Sequence, residues 1–171
     1  SAAEECILAL EQELSVTVAD SEVSRINGSA GQPVQVTQSA ADIISAALRY
    51  GELTGGCLDI TLYPVLRAWG FTTGEYRIPP QEEISELLEG VGYGRMSISG
   101  TAVTLPDGMM CDLGSVAKGY TGDAIMQTMR ENGVESAIVS LGGNVQALGL
   151  KPDGSCWKVA VRDPFSESDD M

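Results

Sequence analysis

One segment, residues 111–123, joins an apolar stretch to a helix through small residues, and it limits the folds open to this chain. We expect a short strand at 109–113, then a turn, then a helix that continues to about Arg130. Gly114 and Ser115 let another backbone or a ligand come close. The first turn of a helix also leaves N–H groups unpaired and carries a partial positive charge. The segment therefore predicts a structured turn that can receive an anion.

Two charged residues flank this turn. Asp112 precedes it, and Lys118 follows it early in the expected helix. A phosphate-bearing ligand and its cation could both be held between these charges. The alternative is an ordinary strand-to-helix turn with a solvated lysine, and a single glycine turn does not decide between the two.

Charge and composition exclude several classes of protein. The chain has 171 residues, of which 10 are Lys or Arg and 24 are Asp or Glu, so its formal net charge is −14. Nucleic-acid binding requires clustered basic residues, so we expect no nucleic-acid partner. The chain contains no histidine, which excludes any mechanism in which it supplies an imidazole base or ligand. Hydrophobic residues make up 43%, which is enough for a packed core.

The cysteines and the chain ends give weaker signals. No C-x-x-C pair occurs, so neither a zinc motif nor a redox motif is indicated, and disulfide bonding stays open. No signal-peptide pattern and no apolar run of about 20 residues is present. Because the sequence starts and stops abruptly, we interpret 1–171 as a single domain trimmed from something longer.

The order of predicted elements favours an α+β fold, with helices packed against a mixed, mostly antiparallel sheet. Capping by Ser21 and by Thr37 or Ser39 is expected at two helix starts. Ile84, Leu87 and Leu88 form the expected buried stripe of one helix, with Pro80 in its first turn. The expected helices are 4–18, 40–54, 65–69 and Gln81–Glu89. The expected strands are a hairpin at 96–99 and 102–105, and further strands at 136–141, 145–150 and 157–161.

Three further segments carry polar residues at fixed spacings. The first contains Ser21, Glu22, Ser24, Arg25 and Asn27, and the second contains Asp59, Thr61 and Pro64 followed by Trp69-Gly70-Phe71. The third is Gly142-Gly143-Asn144, after an expected strand. The second and third segments have purely structural alternatives: helix capping by Asp59 or Thr61, a core position for Trp69, and a plain hairpin turn at the glycines.

Taken in this order with the 111–123 segment, these pieces closely resemble the ApbE-type FAD:protein FMN transferases. The resemblance spans about 6–164, nearly the whole chain. It implies an ApbE-like (T-fold-like) α+β architecture. It also implies an enzyme that cuts FAD at its pyrophosphate, releases AMP and places FMN on a Thr or Ser hydroxyl of an acceptor flavoprotein, such as a subunit of a redox complex. Mg²⁺ is expected on the pyrophosphate.

The family pattern also implies site residues. The main-chain carbonyl of Ser115 is expected to help hold the metal. Thr17 falls where many relatives carry an aromatic residue that stacks on the flavin, so this chain departs from the pattern there. The expected contacts to FAD are Thr17, Leu58, Asp59, Ile60, Thr61, Asp112 and Lys118.

Two departures concern the ends of the chain. The opening strand of the family and its C-terminal region are missing, and we expect the catalytic and remaining metal-binding residues beyond Met171. On this interpretation the longer protein is the transferase, and residues 1–171 alone form an incomplete site. The family also suggests a lipid-anchored, extracytoplasmic lipoprotein. The alternatives are a relative that binds or hydrolyses FAD without transfer, and a noncatalytic scaffold domain.

Overall fold

The computed structural model describes residues 1–161 and 165. The part of the resemblance at 162–164 therefore lies outside the described residues. The described helices are α1 (Ala2–Leu14), α2 (Glu22–Asn27), α3 (Gln38–Leu53), α4 (Tyr63–Trp69), α5 (Gln81–Glu89) and α6 (Gly114–Glu131), with short 3₁₀ turns at Ile60–Leu62 and Tyr93–Arg95. The described strands are β1 (Val34–Gln35), β2 (Ser97–Ser99), β3 (Ala102–Thr104), β4 (Ala137–Leu141) and β5 (Asn144–Leu148).

The strands form two small antiparallel sheets, which confirms the predicted α+β class. One sheet has the order β1-β3-β2 and the other pairs β4 with β5. Val103 lies opposite both Val34 and Ile98, and Val139 lies opposite Gln146. The predicted hairpin is present as β2 and β3, and the pairing of β4 with β5 confirms the alternative of a plain hairpin turn at Gly142-Gly143.

Side-chain caps set the starts of two predicted helices. The Ser21 hydroxyl accepts a hydrogen bond from the Ser24 N–H at 2.9 Å, and the Thr37 hydroxyl accepts from the Ala40 N–H at 3.2 Å. These bonds satisfy N–H groups that the helix itself cannot pair. Helix α1 ends at Leu14 and not at residue 18, because Ser15 already has extended backbone angles.

The core lies where α3 packs with the three-stranded sheet and the segment before α6. Ile43, Ile44 and Ala47 of the predicted α3 stripe are at most 1% exposed, and Val103 and Leu113 are fully buried. Burial of side chains of this size contributes about 1.5–3 kcal/mol each. The described cysteines carry no disulfide.

The predicted burial of α5 is wrong. None of its residues is buried, and Leu88 is 45% exposed. The 3.6-residue periodicity is present, but α5 packs mainly along α4 and its apolar side chains stay partly exposed. Pro80 is the N-cap of α5 and does not lie within its first turn.

Two predicted strands are also absent. Residues 109–113 form no strand, because their hydrogen bonds go to a side chain and to a loop carbonyl, as described below. Residues 157–161 pair with no strand in the described part of the chain. Trp157 instead donates its indole N–H to the carbonyl of Leu148 at 3.3 Å.

Gly70 turns the chain out of α4, and both its backbone angle and its surroundings require glycine. Its φ is 84°, and a Cβ atom there would overlap the carbonyl oxygen of Glu75. Gly74 has a similar φ of 77°, but a Cβ atom there would meet nothing within 4 Å. Substitution of Gly74 therefore tests backbone strain alone, whereas substitution of Gly70 tests backbone strain together with steric overlap.

We expect Gly74→Ala to lower the free energy of unfolding by about 1 kcal/mol, which is the cost of a left-handed alanine. Gly70→Ala adds overlap with backbone atoms, so its cost is expected to reach about 3 kcal/mol. Urea denaturation of both variants beside the unmodified chain measures the difference. Equal losses for the two variants would contradict the close approach at Gly70.

Candidate functional site

The side chain of Asn27 fixes the chain just before α6. Its Nδ2 donates to the carbonyl of Cys111 at 2.9 Å, and its Oδ1 accepts from the N–H of the same residue at 2.7 Å. The next N–H, that of Asp112, donates to the carbonyl of Ile60 at 2.8 Å. Cys111 and Leu113 are fully buried on either side. Asp112 is thereby held between two buried neighbours, with its own side chain only half-buried.

The other polar residues of 21–27 hold the framework that carries Asn27. The Glu22 carboxylate accepts from the Thr37 N–H at 2.9 and 3.0 Å, which ties α2 to the start of α3. The Ser24 hydroxyl donates to the carbonyl of Val18 at 2.7 Å. The polar residues of 21–27 therefore stabilise the fold. The role of Asn27 in positioning the site was not predicted from the sequence. The signal available was a polar side chain at the end of a short capped helix.

The first turn of α6 presents free donors. Its N-cap, Leu113, provides no side-chain cap. The Gly114 N–H donates to Asp112 Oδ1 at 2.9 Å, and the N–H groups of Val116 and Ala117 both donate to the Leu113 carbonyl. Within the described part of the chain, the N–H and hydroxyl of Ser115 have no partner. Together with the positive end of the helix dipole, they suit an anion.

Three open cavities meet at this turn, and Gly114 lines all of them. The α3 cavity, between α3 and α6, has a volume of about 740 Å³. The loop cavity, about 470 Å³, lies beside residues 57–63, and the α1 cavity, about 450 Å³, lies beside α1. Tyr50 and Tyr120 line the α3 cavity, which sequence reasoning did not identify.

The fold brings the predicted site residues together, with one exception. Leu58 and Ser115 line the α3 and loop cavities, and Asp112 lines the loop and α1 cavities. Lys118 lines the α3 and α1 cavities. Asp59 and Ile60 line the loop cavity and Thr17 lines the α1 cavity, whereas Thr61 lines none of the three.

Asp59 and Thr61 form an internal brace. Asp59 Oδ1 accepts from the Thr61 N–H at 2.8 Å and from its hydroxyl at 2.6 Å, and Oδ2 accepts from the Tyr93 N–H at 2.9 Å. The Thr61 hydroxyl, fully buried, accepts from the Gly92 N–H at 2.8 Å. The structural interpretation of Asp59 as a cap of the Ile60–Leu62 turn is confirmed. A contact of either side chain with FAD stays a prediction.

The two charges at the turn have different environments. Burial raises the pKa of Asp112, and the hydrogen bond from the Gly114 N–H opposes this shift. Lys118 is exposed and has no carboxylate within 4 Å among residues 1–161 and 165. Its Cε lies 3.7 Å from the position of a Cβ atom on Gly142, in the β4–β5 turn. The ammonium group therefore remains available to a ligand.

The described residues supply only part of a Mg²⁺ site. Asp112 Oδ2 accepts no hydrogen bond within the described part of the chain, and Asp112 and Ser115 both line the loop cavity. No group of three or more His, Cys, Asp or Glu side chains that could hold a metal occurs among the residues described. Mg²⁺ requires six oxygen ligands, some of which can be water. A single half-buried carboxylate is too small a donor set to define the metal.

Comparison with known proteins is consistent with this arrangement. The sequence model of the ApbE family matches residues 1–171, and the chain belongs to this family. The chain is 32% identical over 163 residues to the FAD:protein FMN transferase of Escherichia coli strain K12, covering 90% of this chain and 46% of that protein. It is 31% identical over 184 residues to the FAD:protein FMN transferase of Treponema pallidum, covering 96% and 51%.

Solved structures show the same fold. The ApbE protein from Thermotoga maritima superposes with a TM-score of 0.90 at 32% identity, covering 98% of this chain and 56% of that one. The flavinyl transferase ApbE from Pseudomonas stutzeri superposes with a TM-score of 0.85 at 31% identity, covering 93% and 52%. The chain thus spans about half the length of these relatives.

Within the described residues, no helix is both long and apolar enough to span a bilayer.

The pKa shift of Asp112 has a consequence for stability. A carboxyl whose pKa is raised in the folded state binds its proton more tightly there than in the unfolded chain. Ionisation therefore destabilises the fold as pH rises above the ordinary value of 3.8 and through the raised pKa.

We expect Asp112→Asn to be more stable than the unmodified chain at pH 7 in EDTA, because the amide avoids burying a charge and can still accept from the Gly114 N–H. The advantage is expected to shrink as pH falls toward 4. Urea denaturation between pH 4 and pH 7 measures it, and Asp107→Asn, at an exposed turn, controls for the loss of one negative charge. Equal stability of Asp112→Asn and the unmodified chain at pH 7 would contradict a cost of burying the charged Asp112 carboxylate.

Proposed function

We propose that this chain forms the FAD-binding part of an FAD:protein FMN transferase, which transfers FMN to a Thr or Ser hydroxyl of an acceptor flavoprotein. The observation that carries the proposal is the convergence of three cavities on the α6 turn, between Asp112 and Lys118, in a chain of the ApbE family. The function for which its relatives are named, FAD:protein FMN transferase, supports the same conclusion.

The free donors of α6 suit the pyrophosphate of FAD. The N–H and hydroxyl of Ser115 would donate to phosphate oxygens, and the Lys118 ammonium would neutralise part of their charge.

In the proposed transfer, the acceptor hydroxyl oxygen forms a bond to the phosphorus of FMN, and the bond from that phosphorus to the bridging oxygen breaks. AMP leaves with the electron pair, and the hydroxyl proton passes to a base. Lys118 favours the reaction because negative charge develops on the departing phosphate.

The flavin requires a flat, largely apolar surface. At Thr17 this chain has no ring, and the Thr17 hydroxyl is hydrogen-bonded to the Ser15 hydroxyl at 2.8 Å. Ring stacking must therefore come from another residue. Tyr50, which is 50% exposed on the wall of the α3 cavity near Leu58, offers an aromatic face.

A divalent cation is part of the proposal. A carboxylate beside a pyrophosphate is repelled unless a cation or a hydroxyl group lies between them. Asp112 Oδ2 and the main-chain carbonyl of Ser115 are the groups that would bind Mg²⁺ here, together with oxygen ligands from outside the described residues. The ion would neutralise charge on the pyrophosphate.

The acceptor and the cellular location are proposed from the family alone. An acceptor that belongs to a redox complex, and a lipid anchor that holds the longer protein on the extracytoplasmic side of a membrane, are consistent with FMN transfer to membrane enzymes.

The first test is flavin transfer. Incubation of the full-length protein with FAD, Mg²⁺ and a candidate acceptor is expected to yield AMP and a fluorescent acceptor band that survives denaturation. AMP release without a labelled acceptor would indicate an FAD hydrolase. Neither product, together with no FAD binding, would indicate a noncatalytic domain.

We expect Asp112→Asn to lower FAD affinity or the rate of transfer at least about tenfold, which corresponds to about 1.4 kcal/mol. The side chain keeps its shape but loses the charge that would hold the cation. Asp107→Asn is the matched control, since Asp107 also accepts a backbone N–H but lies outside the cavities. Unchanged affinity and rate in Asp112→Asn would remove this residue from the site.

Removal of divalent ions is expected to lower transfer at least about tenfold, and added Mg²⁺ is expected to restore it. The assay compares EDTA-treated protein with and without excess Mg²⁺. Thermal unfolding in the same buffers controls for loss of structure. Undiminished transfer in EDTA would overturn the metal assignment.

A further inference from the structure

A fourth cavity adjoins the site but contains none of its charged residues. This α4 cavity, about 520 Å³, lies between α2 and α4 and is lined by Ser24, Asn27, Arg67, Thr72 and Met110, among others. Thr17 and Thr72 line both this cavity and the α1 cavity. A ligand in the α4 cavity would therefore lie next to whatever occupies the α6 turn.

Arg67 is a positioned cation without an anion. Its guanidinium carbon lies 5.9 Å from the centroid of the Tyr63 ring, and its Nη1 lies 3.5 Å from the sulfur of Met110. In the described part of the chain no carboxylate lies within ion-pairing distance of Arg67, whereas Arg25 pairs with Glu22. Arg67 is exposed, and other described arginines such as Arg95 and Arg130 also lack an ion pair, but Arg67 is the charged residue that lines the α4 cavity.

A second polar group on the same wall also lacks a partner. The Thr72 hydroxyl oxygen is buried and makes no hydrogen bond with any described residue. Buried polar atoms without a partner are rare, and each calls for an explanation such as a ligand. The α4 cavity thus combines a held guanidinium with an unsatisfied hydroxyl, and both can donate to an oxyanion.

The charge of FAD does not account for this site. FAD is anionic only at its pyrophosphate, which the proposed function places at the α6 turn beside Lys118. Arg67 lines neither the α3 cavity nor the α1 cavity. An anion bound at Arg67 would therefore come from a second ligand, and in a transferase that ligand is the acceptor polypeptide.

We propose that the α4 cavity binds an acidic side chain of the acceptor polypeptide and that Arg67 is the residue that selects it. The inference rests on the proposed function. A carboxylate fits the planar guanidinium through two parallel hydrogen bonds, with the Thr72 hydroxyl as a third donor. Since Thr17 lies between the two sites, the bound acidic residue would hold the neighbouring acceptor hydroxyl near the flavin phosphate.

The test uses two short fluorescein-labelled peptides in which a threonine is flanked by glutamates or by glutamines. Fluorescence anisotropy at low ionic strength measures their affinities for the unmodified protein, Arg67→Gln and Arg130→Gln. Arg130, at the exposed end of α6, is the charge-matched control. We expect the glutamate peptide to bind about tenfold more tightly than the glutamine peptide, and only Arg67→Gln to abolish this preference.

FAD and AMP titrations of the same three proteins separate this inference from the proposed function. Unchanged nucleotide affinity in Arg67→Gln, with the peptide preference lost, supports acceptor recognition. Weaker FAD or AMP binding in Arg67→Gln assigns the arginine to the nucleotide and overturns the inference. Equal binding of both peptides, or no binding of the glutamate peptide, overturns it as well. Failure of the unmodified protein to bind FAD would contradict the proposed function alone.

Discussion

The pair of hydrogen bonds between the Asn27 side chain and the Cys111 backbone is the contact on which the site depends. An amide side chain offers one donor and one acceptor, so it can replace a strand partner for a single residue. The segment before α6 thus stays in place without a neighbouring strand. Asp112 emerges from this segment and lines both the loop cavity and the α1 cavity.

Stability and ligand binding oppose each other at the α6 turn. Burial disfavours the ionised form of Asp112, and among the described residues its carboxylate accepts one hydrogen bond, from the Gly114 N–H. The N-cap residue Leu113 provides no side-chain cap. A serine or threonine cap would stabilise the helix by about 1 kcal/mol but would occupy donors that a phosphate needs. The turn is therefore less stable than it could be, and the buried Cys111 and Leu113 hold it in place.

Sequence reasoning predicted local helices and turns better than the distant residues that pack against them or bond to them. The α3 stripe and the β2–β3 hairpin follow from periodicity and a glycine position, and Thr17, Leu58 and Lys118, which the motif resemblance selected, line the cavities that meet at the α6 turn. The missing strand at 109–113 shows the limit, because apolar alternation does not reveal that a distant asparagine satisfies the backbone. The predicted burial of the apolar face of α5 is wrong for a similar reason. Periodicity identifies the apolar face of a helix, but its burial depends on what packs against that face.

The small side chain at Thr17 lies where the two proposed ligand sites adjoin. Thr17 lines the α1 cavity and the α4 cavity, and its hydroxyl is occupied by Ser15. An aromatic ring at this position would fill the space between the cavities and supply a stacking surface. Threonine leaves this space unfilled, so on the proposed function the flavin contacts would shift toward the α3 cavity and Tyr50. On the same proposal, the absence of a ring at Thr17 would also leave room for a second ligand at Arg67 to approach the α6 turn.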